Sequence, residues 1–256
     1  MPSRTAMRAV AMSGVLLTGC TFIAREVARD PNSLWLITHN VCVPDQRQFG
    51  NPSPCMKVDL AAGYVLLKDP NSPTHFVLSP TARVTGIEDP AILFPTAPNY
   101  WDQAWRARRY VEERAGRALG RDEVSLAINS INGRTQNQLH IHIDCIKPAV
   151  RAALHAHASA IAPYWAQFPV PLAGDNYLAE RIDGSDLTRV NPFRLLSTLP
   201  QAHADMGNET LVVTGDTSPN GRPGFILLAG HATPGADVSG EALQDHHCTV
   251  ARLRLS

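Results

Sequence analysis

Two short runs rich in β-formers, 63–69 (GYVLLKD) and 74–80 (THFVLSP), flank the turn residues PNSP, which predicts a β-hairpin. Ahead of it, Ser33 can cap a short helix through about Asn40 (SLWLITHN). In the stretch 99–119, Trp101, Ala104, Trp105, Ala107, Val111, Ala115 and Leu119 recur at helical spacing before Gly120, predicting a long amphipathic helix. A strand at 123–131 (EVSLAINSI), a polar turn and a second strand at 138–146 (QLHIHIDCI) follow. The first half therefore reads β-β-α-β-β, an antiparallel sheet with one principal helix. After Pro148 the pattern turns helical (AVRAALHAHASAIAPYW), then irregular around NYLAERI and NPFRLLSTL, and closes on a second hairpin at 209–231. That hairpin loosely echoes the first, but ordinary turn chemistry accounts for both without a duplication. The whole reads as an α+β protein: residues 33–150 form the sheet-and-helix half, and residues 151–256 extend the same domain with an α/β half.

Successive side chains of a strand point to opposite faces. In the run LHIHID, Leu139, Ile141 and Ile143 therefore share one face, and His140, His142 and Asp144 share the other. Three proton-handling groups lie together behind a face suited to burial.

The N-terminus breaks the pattern. Residues 1–20 (MPSRTAMRAVAMSGVLLTGC) carry Arg4 and Arg8, an apolar run from Ala9 to Leu17, and then small residues, which is the organisation of an export signal. Leu17-Thr-Gly-Cys20 resembles a bacterial lipobox, in which Cys20 becomes the lipidated mature N-terminus. An uncleaved signal anchor is the alternative. Either places the folded part outside the cytoplasm, on the periplasmic or cell-envelope side, tethered to a membrane through residues 21–32. Export gives the other four cysteines, Cys42, Cys55, Cys145 and Cys248, an oxidising surrounding. Four cysteines allow three pairings. The short, turn-rich span from Cys42 to Cys55 favours a bridge there, leaving Cys145 for Cys248. No Cys-x-x-Cys pair suggests zinc.

Composition narrows the class. The 256 residues are 44% hydrophobic and carry 23 basic and 23 acidic side chains, so there is no excess of positive charge to attract nucleic acid. A chain this long can bury a sizeable core.

The histidine strand admits three readings. Two histidines at i and i+2 can chelate zinc, with Asp144 or one of the other histidines as a third ligand. A histidine can attack phosphorus, provided one ring nitrogen is free and the other is held by a partner. Or the polar residues simply occupy a solvated face. The preceding turn, from Asn129 through Asn132, Gly133, Arg134, Thr135, Gln136 and Asn137 to Gln138, is crowded with hydrogen-bond donors, which suits a phosphate better than a metal. The remaining histidines give no signal of chemistry. His155 and His157 read as solvated helix residues, and His39, His75, His203 and His231 sit in or beside loops. Lys68 reads as a surface strand lysine that could reach a phosphate, and the tryptophans read as packing residues.

The stretch LAINSINGRTQNQLHIHIDC resembles the histidine-triad superfamily, with an Asn on one strand, a polar turn with Gln, and His-x-His on the next strand. Together with the spaced residues LW, C, Q, PC and V over 34–58, TGIEDP at 85–90 and LQDHHC at 243–248, it resembles the CDP-diacylglycerol pyrophosphatase family within that superfamily. The likeness covers roughly residues 33–248. It implies His142 as nucleophile and His140 as its support. Asn129, Gln136, Asn137 and Asp144 are the implied substrate-binding positions. The third triad position is Asp144, where the superfamily has a histidine that assists the leaving group. A carboxylate there repels phosphate oxygens, so the acid role passes to His246 or His247 if the segment QDHHC folds back through a Cys145–Cys248 bridge. The resemblance implies a hydrolase that splits CDP-diacylglycerol into CMP and phosphatidate without metal or other cofactor. A histidine-triad enzyme acting on another nucleotide conjugate, and a metal-binding envelope lipoprotein, are the rival readings.

Overall fold

The computed structural model describes residues 30–252, apart from residues 219 and 234. The export segment, Cys20 and most of the tether lie outside the described residues. Among the described residues no helix is long and apolar enough to cross a membrane.

The strands are β1 (Lys57–Asp59), β2 (Tyr64–Lys68), β3 (Phe76–Pro80), β4 (Val124–Ile128), β5 (Ile141–Ile146), β6 (Ala166–Gln167), β7 (Leu178–Asp183), β8 (Glu209–Thr217), β9 (Pro223–His231) and β10 (Gln244–Asp245). They form one antiparallel sheet in the order β1-β2-β3-β5-β4-β8-β9-β7-β6, with β10 paired to β5. The helices used below are α1 (Ser33–Ile37), α2 (Val43–Phe49), α3 (Tyr100–Ala115) and α4 (Pro148–Ala156). The fold is α+β, and both predicted hairpins are present as β2–β3 and β8–β9.

The long helix α3 buries Trp101, Trp105 and Val111 against Leu66, Leu78, Leu126, Ile141 and Ile143 of the sheet. Each large apolar side chain so removed from water stabilises the fold by about 1.5–3 kcal/mol. Asn99 caps its start, accepting from the Asp102 amide at 3.4 Å. The helix ends at Gly116, earlier than the predicted Gly120, because Gly116 takes φ +74° and turns the chain left-handed. On the opposite face a second apolar cluster gathers Ile146, Val150, Leu154, Val212 and Leu228 under α4.

Other boundaries also differ from the sequence reading. The segment Cys42–Cys55 is not all loop. A π-helical turn, Thr38–Cys42, leads into α2, which carries helix to Phe49 before Gly50 stops it at φ +66°. The helix after Pro148 stops at Ala156, where His157 leaves helical geometry. NYLAERI contributes β7, which pairs with β9 along six residues. The 138–146 strand begins at Ile141. Both disulfides, Cys42–Cys55 and Cys145–Cys248, are formed.

Candidate active site

The alternation along β5 holds. Leu139, Ile141, Ile143 and Cys145 enter the core beneath α3. The other face is not solvated: His140 is 8% exposed, His142 6% and Asp144 fully buried. His142 pairs across the sheet with Val77 on β3 and Ala127 on β4.

Register then brings distant residues together. β3 pairs with β5 only at Ile141–Ile143, and β10 pairs with Cys145–Ile146. The residue that enters β3 and the one that leaves β10 are His75 and His246, and their rings lie 4.6 Å apart beside His142. The Cys145–Cys248 bridge fastens the β10 segment there. Thr74 secures the same junction, its hydroxyl 2.7 Å from Asp144 Oδ1.

Each imidazole has a defined environment. His75 Nδ1 is 3.0 Å from Asp69 Oδ2 and its Nε2 is 2.9 Å from His142 Nδ1. Glu241 Oε1 also approaches His142 Nδ1, at 3.1 Å. With the His75 proton on Nδ1 facing a carboxylate, its Nε2 is an acceptor, so His142 carries its proton on Nδ1 between two acceptors. His142 Nε2 is buried without a hydrogen-bond partner among the described residues. Burial, reinforced by the neighbouring imidazoles of His140, His75 and His246, pushes the His142 pKa well below 6.5 and keeps the ring neutral. His140 is also lowered by burial, its Nδ1 2.7 Å from the Gln138 carbonyl and its ring edge-on to His142 at 4.8 Å. His246 behaves oppositely. Its Nδ1 lies 2.7 Å from Asp144 Oδ2, and that hydrogen bond raises its pKa above 6.5 against the effect of burial.

A cavity of about 800 Å³ opens over His75, His140 and His142, and His246 stands behind His75 outside its lining. Its polar floor holds His75, His140, His142 and Glu241, and its apolar wall includes Leu34, Leu36, Ile37, Val41, Leu67 and Val77. Lys68 also lines it, its Nζ held by the carbonyl oxygens of Asp69 and Ser72.

The residues expected to bind substrate divide. Gln136 lines the cavity, but its Oε1 accepts from the Leu34 amide at 2.8 Å and the Ser33 hydroxyl at 3.0 Å, fixing α1 as the cavity wall. Asn129 stands behind the site, donating to Glu241 Oε2 at 2.9 Å and accepting from the Gly240 amide at 2.9 Å. Asn137 is exposed and outside the cavity lining; its backbone amide bonds Pro31. Asp144 does not face the cavity, because all its hydrogen bonds go to Thr74, the Cys145 amide and His246. The suggested zinc trio of His140, His142 and Asp144 therefore does not converge. Between the two terminal histidines, His246 joins the site and His247 is exposed.

Three groups were not legible in the sequence: His75, its partner Asp69, and Glu241. His75 shares a face with Val77, and so with His142, but only the β3–β5 pairing reveals this. The ligand atoms of His75, Glu241 and His246 all lie within 4.8 Å of one another, close enough to hold one metal ion.

A family model described as CDP-diacylglycerol pyrophosphatase matches residues 29–252. The CDP-diacylglycerol pyrophosphatase of Yersinia pestis is 41% identical over 222 residues, which cover 86% of this chain and 84% of that protein.

Proposed function

The chain belongs to the CDP-diacylglycerol pyrophosphatase family, and from that premise we propose that it works through a covalent nucleotidyl-histidine formed on His142. It is a hydrolase of CDP-diacylglycerol. Cleavage of the pyrophosphate gives CMP and phosphatidate.

The observation that carries the covalent reading is the state of His142: Nδ1 is committed to Glu241 and His75, and Nε2 keeps an unpartnered lone pair. In the first step Nε2 bonds to the nucleotide-side phosphorus and the phosphorus–oxygen bond to phosphatidate breaks. The departing oxygen takes a proton from His246, whose charged form the hydrogen bond to Asp144 favours. Positive charge that develops on the His142 ring faces the Glu241 carboxylate. In the second step water attacks the same phosphorus and gives its proton to His246, and the phosphorus–nitrogen bond breaks to release CMP. Because Nε2 is covered, the side chains beside it part as the phosphate enters. Lys68 is the cation placed to offset phosphate charge, and the apolar wall formed by α1 and β2 suits the acyl side of the substrate.

The N-terminal segment supports a further reading, that the protein is exported and anchored in a membrane. The basic start, apolar run and Cys20 carry it. The first cavity-wall residues, Ser33 and Leu34, follow within a few residues of the tether, so an anchor holds the cavity near the lipid that contains its substrate.

The test is CMP release from detergent-dispersed CDP-diacylglycerol. His142→Ala is expected to lower turnover by more than about 10⁴-fold while leaving the thermal midpoint within a few degrees of wild type. Substrate labelled in the nucleotide-side phosphate should leave acid-labile, alkali-stable label on the wild type and none on the variant. Turnover retained in His142→Ala ends the proposal.

A further inference from the structure

The cluster of His75, Glu241 and His246 has more acceptors than the hydrolytic scheme requires. His75 Nε2 and Glu241 Oε1 both crowd the single Nδ1 proton of His142, at 2.9 Å and 3.1 Å. His246 Nε2 lies 4.0 Å from the same Glu241 oxygen. Three ligand atoms from two distant segments of the chain thus face one point, all within 4.8 Å of one another. In a tetrahedral zinc site, with bonds of about 2.0–2.2 Å, neighbouring ligand atoms stand about 3.4 Å apart, so small side-chain movements complete the set.

A second observation is independent of that convergence. Both imidazoles are backed through Nδ1 by a carboxylate, His75 by Asp69 at 3.0 Å and His246 by Asp144 at 2.7 Å. This carboxylate–histidine arrangement orients Nε2 and raises its basicity as a metal ligand. Asn129 holds the other oxygen of Glu241 at 2.9 Å, which aims Oε1 inward. His246 is 39% and Glu241 31% exposed at the side chain, so an ion can enter from solvent.

We propose that His75, Glu241 and His246 form a reversible site for one divalent transition-metal ion of the zinc class, and that filling it shuts off the enzyme. The inhibitory part rests on the nucleotidyl-histidine reading. An ion seated among the three ligands takes the place of the His142 Nδ1 proton. That nitrogen becomes a fourth ligand, the ring proton moves to Nε2, and the lone pair that attacks phosphorus is lost. His246 Nε2, bound to the ion, no longer delivers a proton to the leaving oxygen.

The experiment uses the full chain, stripped with EDTA and dialysed, titrated with Zn²⁺ by calorimetry and then assayed for CMP release. One Zn²⁺ per chain is expected, with a higher thermal midpoint when bound. His75→Gln and Glu241→Gln should each weaken binding by at least about 10-fold, and Asp69→Asn by about 10–100-fold. His155→Gln, a change at the separate His155–Asp122 surface pair, should alter neither binding nor basal activity. Activity should fall in step with zinc occupancy and return with EDTA. Absence of stoichiometric binding, or binding that survives both His75→Gln and Glu241→Gln, overturns the site. Full or increased turnover at saturating zinc overturns the inhibitory role. The two proposals separate experimentally: retained turnover in His142→Ala defeats the covalent reading, whereas the zinc isotherms of the wild type and of the His75 and Glu241 variants test the site without reference to turnover.

Discussion

At the scale of single residues, the candidate nucleophile and its protonatable neighbour come from different segments, His142 from β5 and His246 from the chain that leaves β10. His142 is kept neutral by burial, while the hydrogen bond from Asp144 favours the charged form of His246. Asp144 orients His246. It is buried under Thr74 and spends its second oxygen on His246, so in the proposed scheme it acts on the substrate only through that histidine. Asp144→Asn keeps the shape but weakens the orientation and charge of His246. Turnover should fall on the order of 10²-fold, as expected when a general acid loses its support, while KM stays near the wild-type value. A variant whose KM rises with unchanged kcat would place Asp144 against the substrate instead. Alternation alone identified His140 and His142 as a shared face, because a period of two is a property of the strand itself. It could not identify Glu241 or His75, whose places depend on which strands lie next to β5. Nor could it show that Asn129 faces Glu241 and not a ligand.

At the scale of elements, strongly patterned segments were legible and their ends were not. The stripe of Trp101, Trp105 and Val111 declared α3, but helical spacing continues past Gly116 in the sequence and only the left-handed turn there stops it. β7 was missed because Leu178, Glu180 and Ile182 alternate too weakly against Ala179, Arg181 and Asp183, while β9 pairs with all six. The chain released at Gly116 does work of its own. Arg117 binds both oxygens of Glu123 at 2.9 Å and also donates to the carbonyls of Val250 and Ala251, tying the end of α3 to the C-terminal segment. Burial opposes ionisation of Glu123, but Arg117 and the Gly120 amide outweigh it and hold the pKa below 4.5. The unfolded chain takes up this proton at higher pH than the folded one. The stabilisation is therefore complete above about pH 4.5 and is lost as pH falls through the folded value. Arg117→Gln should cost about 1.5–3 kcal/mol near neutrality, the range for hydrogen bonds to charged groups. Its denaturation midpoint should also decline less steeply than wild type below pH 4.5. Parallel acid limbs for the two proteins would show that the pair does not govern this range.

At the scale of the whole molecule, the candidate active site is closed by a segment whose cysteine, Cys248, lies 103 residues after its partner Cys145 on β5. β10 occupies the same edge of β5 that β3 uses further along, and only two residue pairs hold it there. The Cys145–Cys248 bridge therefore has two consequences that separate experimentally. In the loop-entropy account, closing a loop of about 100 residues stabilises by about 4–5 kcal/mol. It also fixes the segment that carries Glu241 and His246 against Asp144. The Cys42–Cys55 bridge closes a 13-residue span around α2, for which the same account gives about 3 kcal/mol, and neither cysteine lines the cavity. Cys248→Ser and Cys42→Ser should both lower the denaturation midpoint. Assayed well below either midpoint, where both variants are folded, only Cys248→Ser should lose turnover on the scale expected for Asp144→Asn. Combining Cys248→Ser with Asp144→Asn should then add little further loss of turnover, since both changes unseat the same imidazole. Multiplicative losses in the double variant would mean that the bridge supports catalysis by a route other than His246.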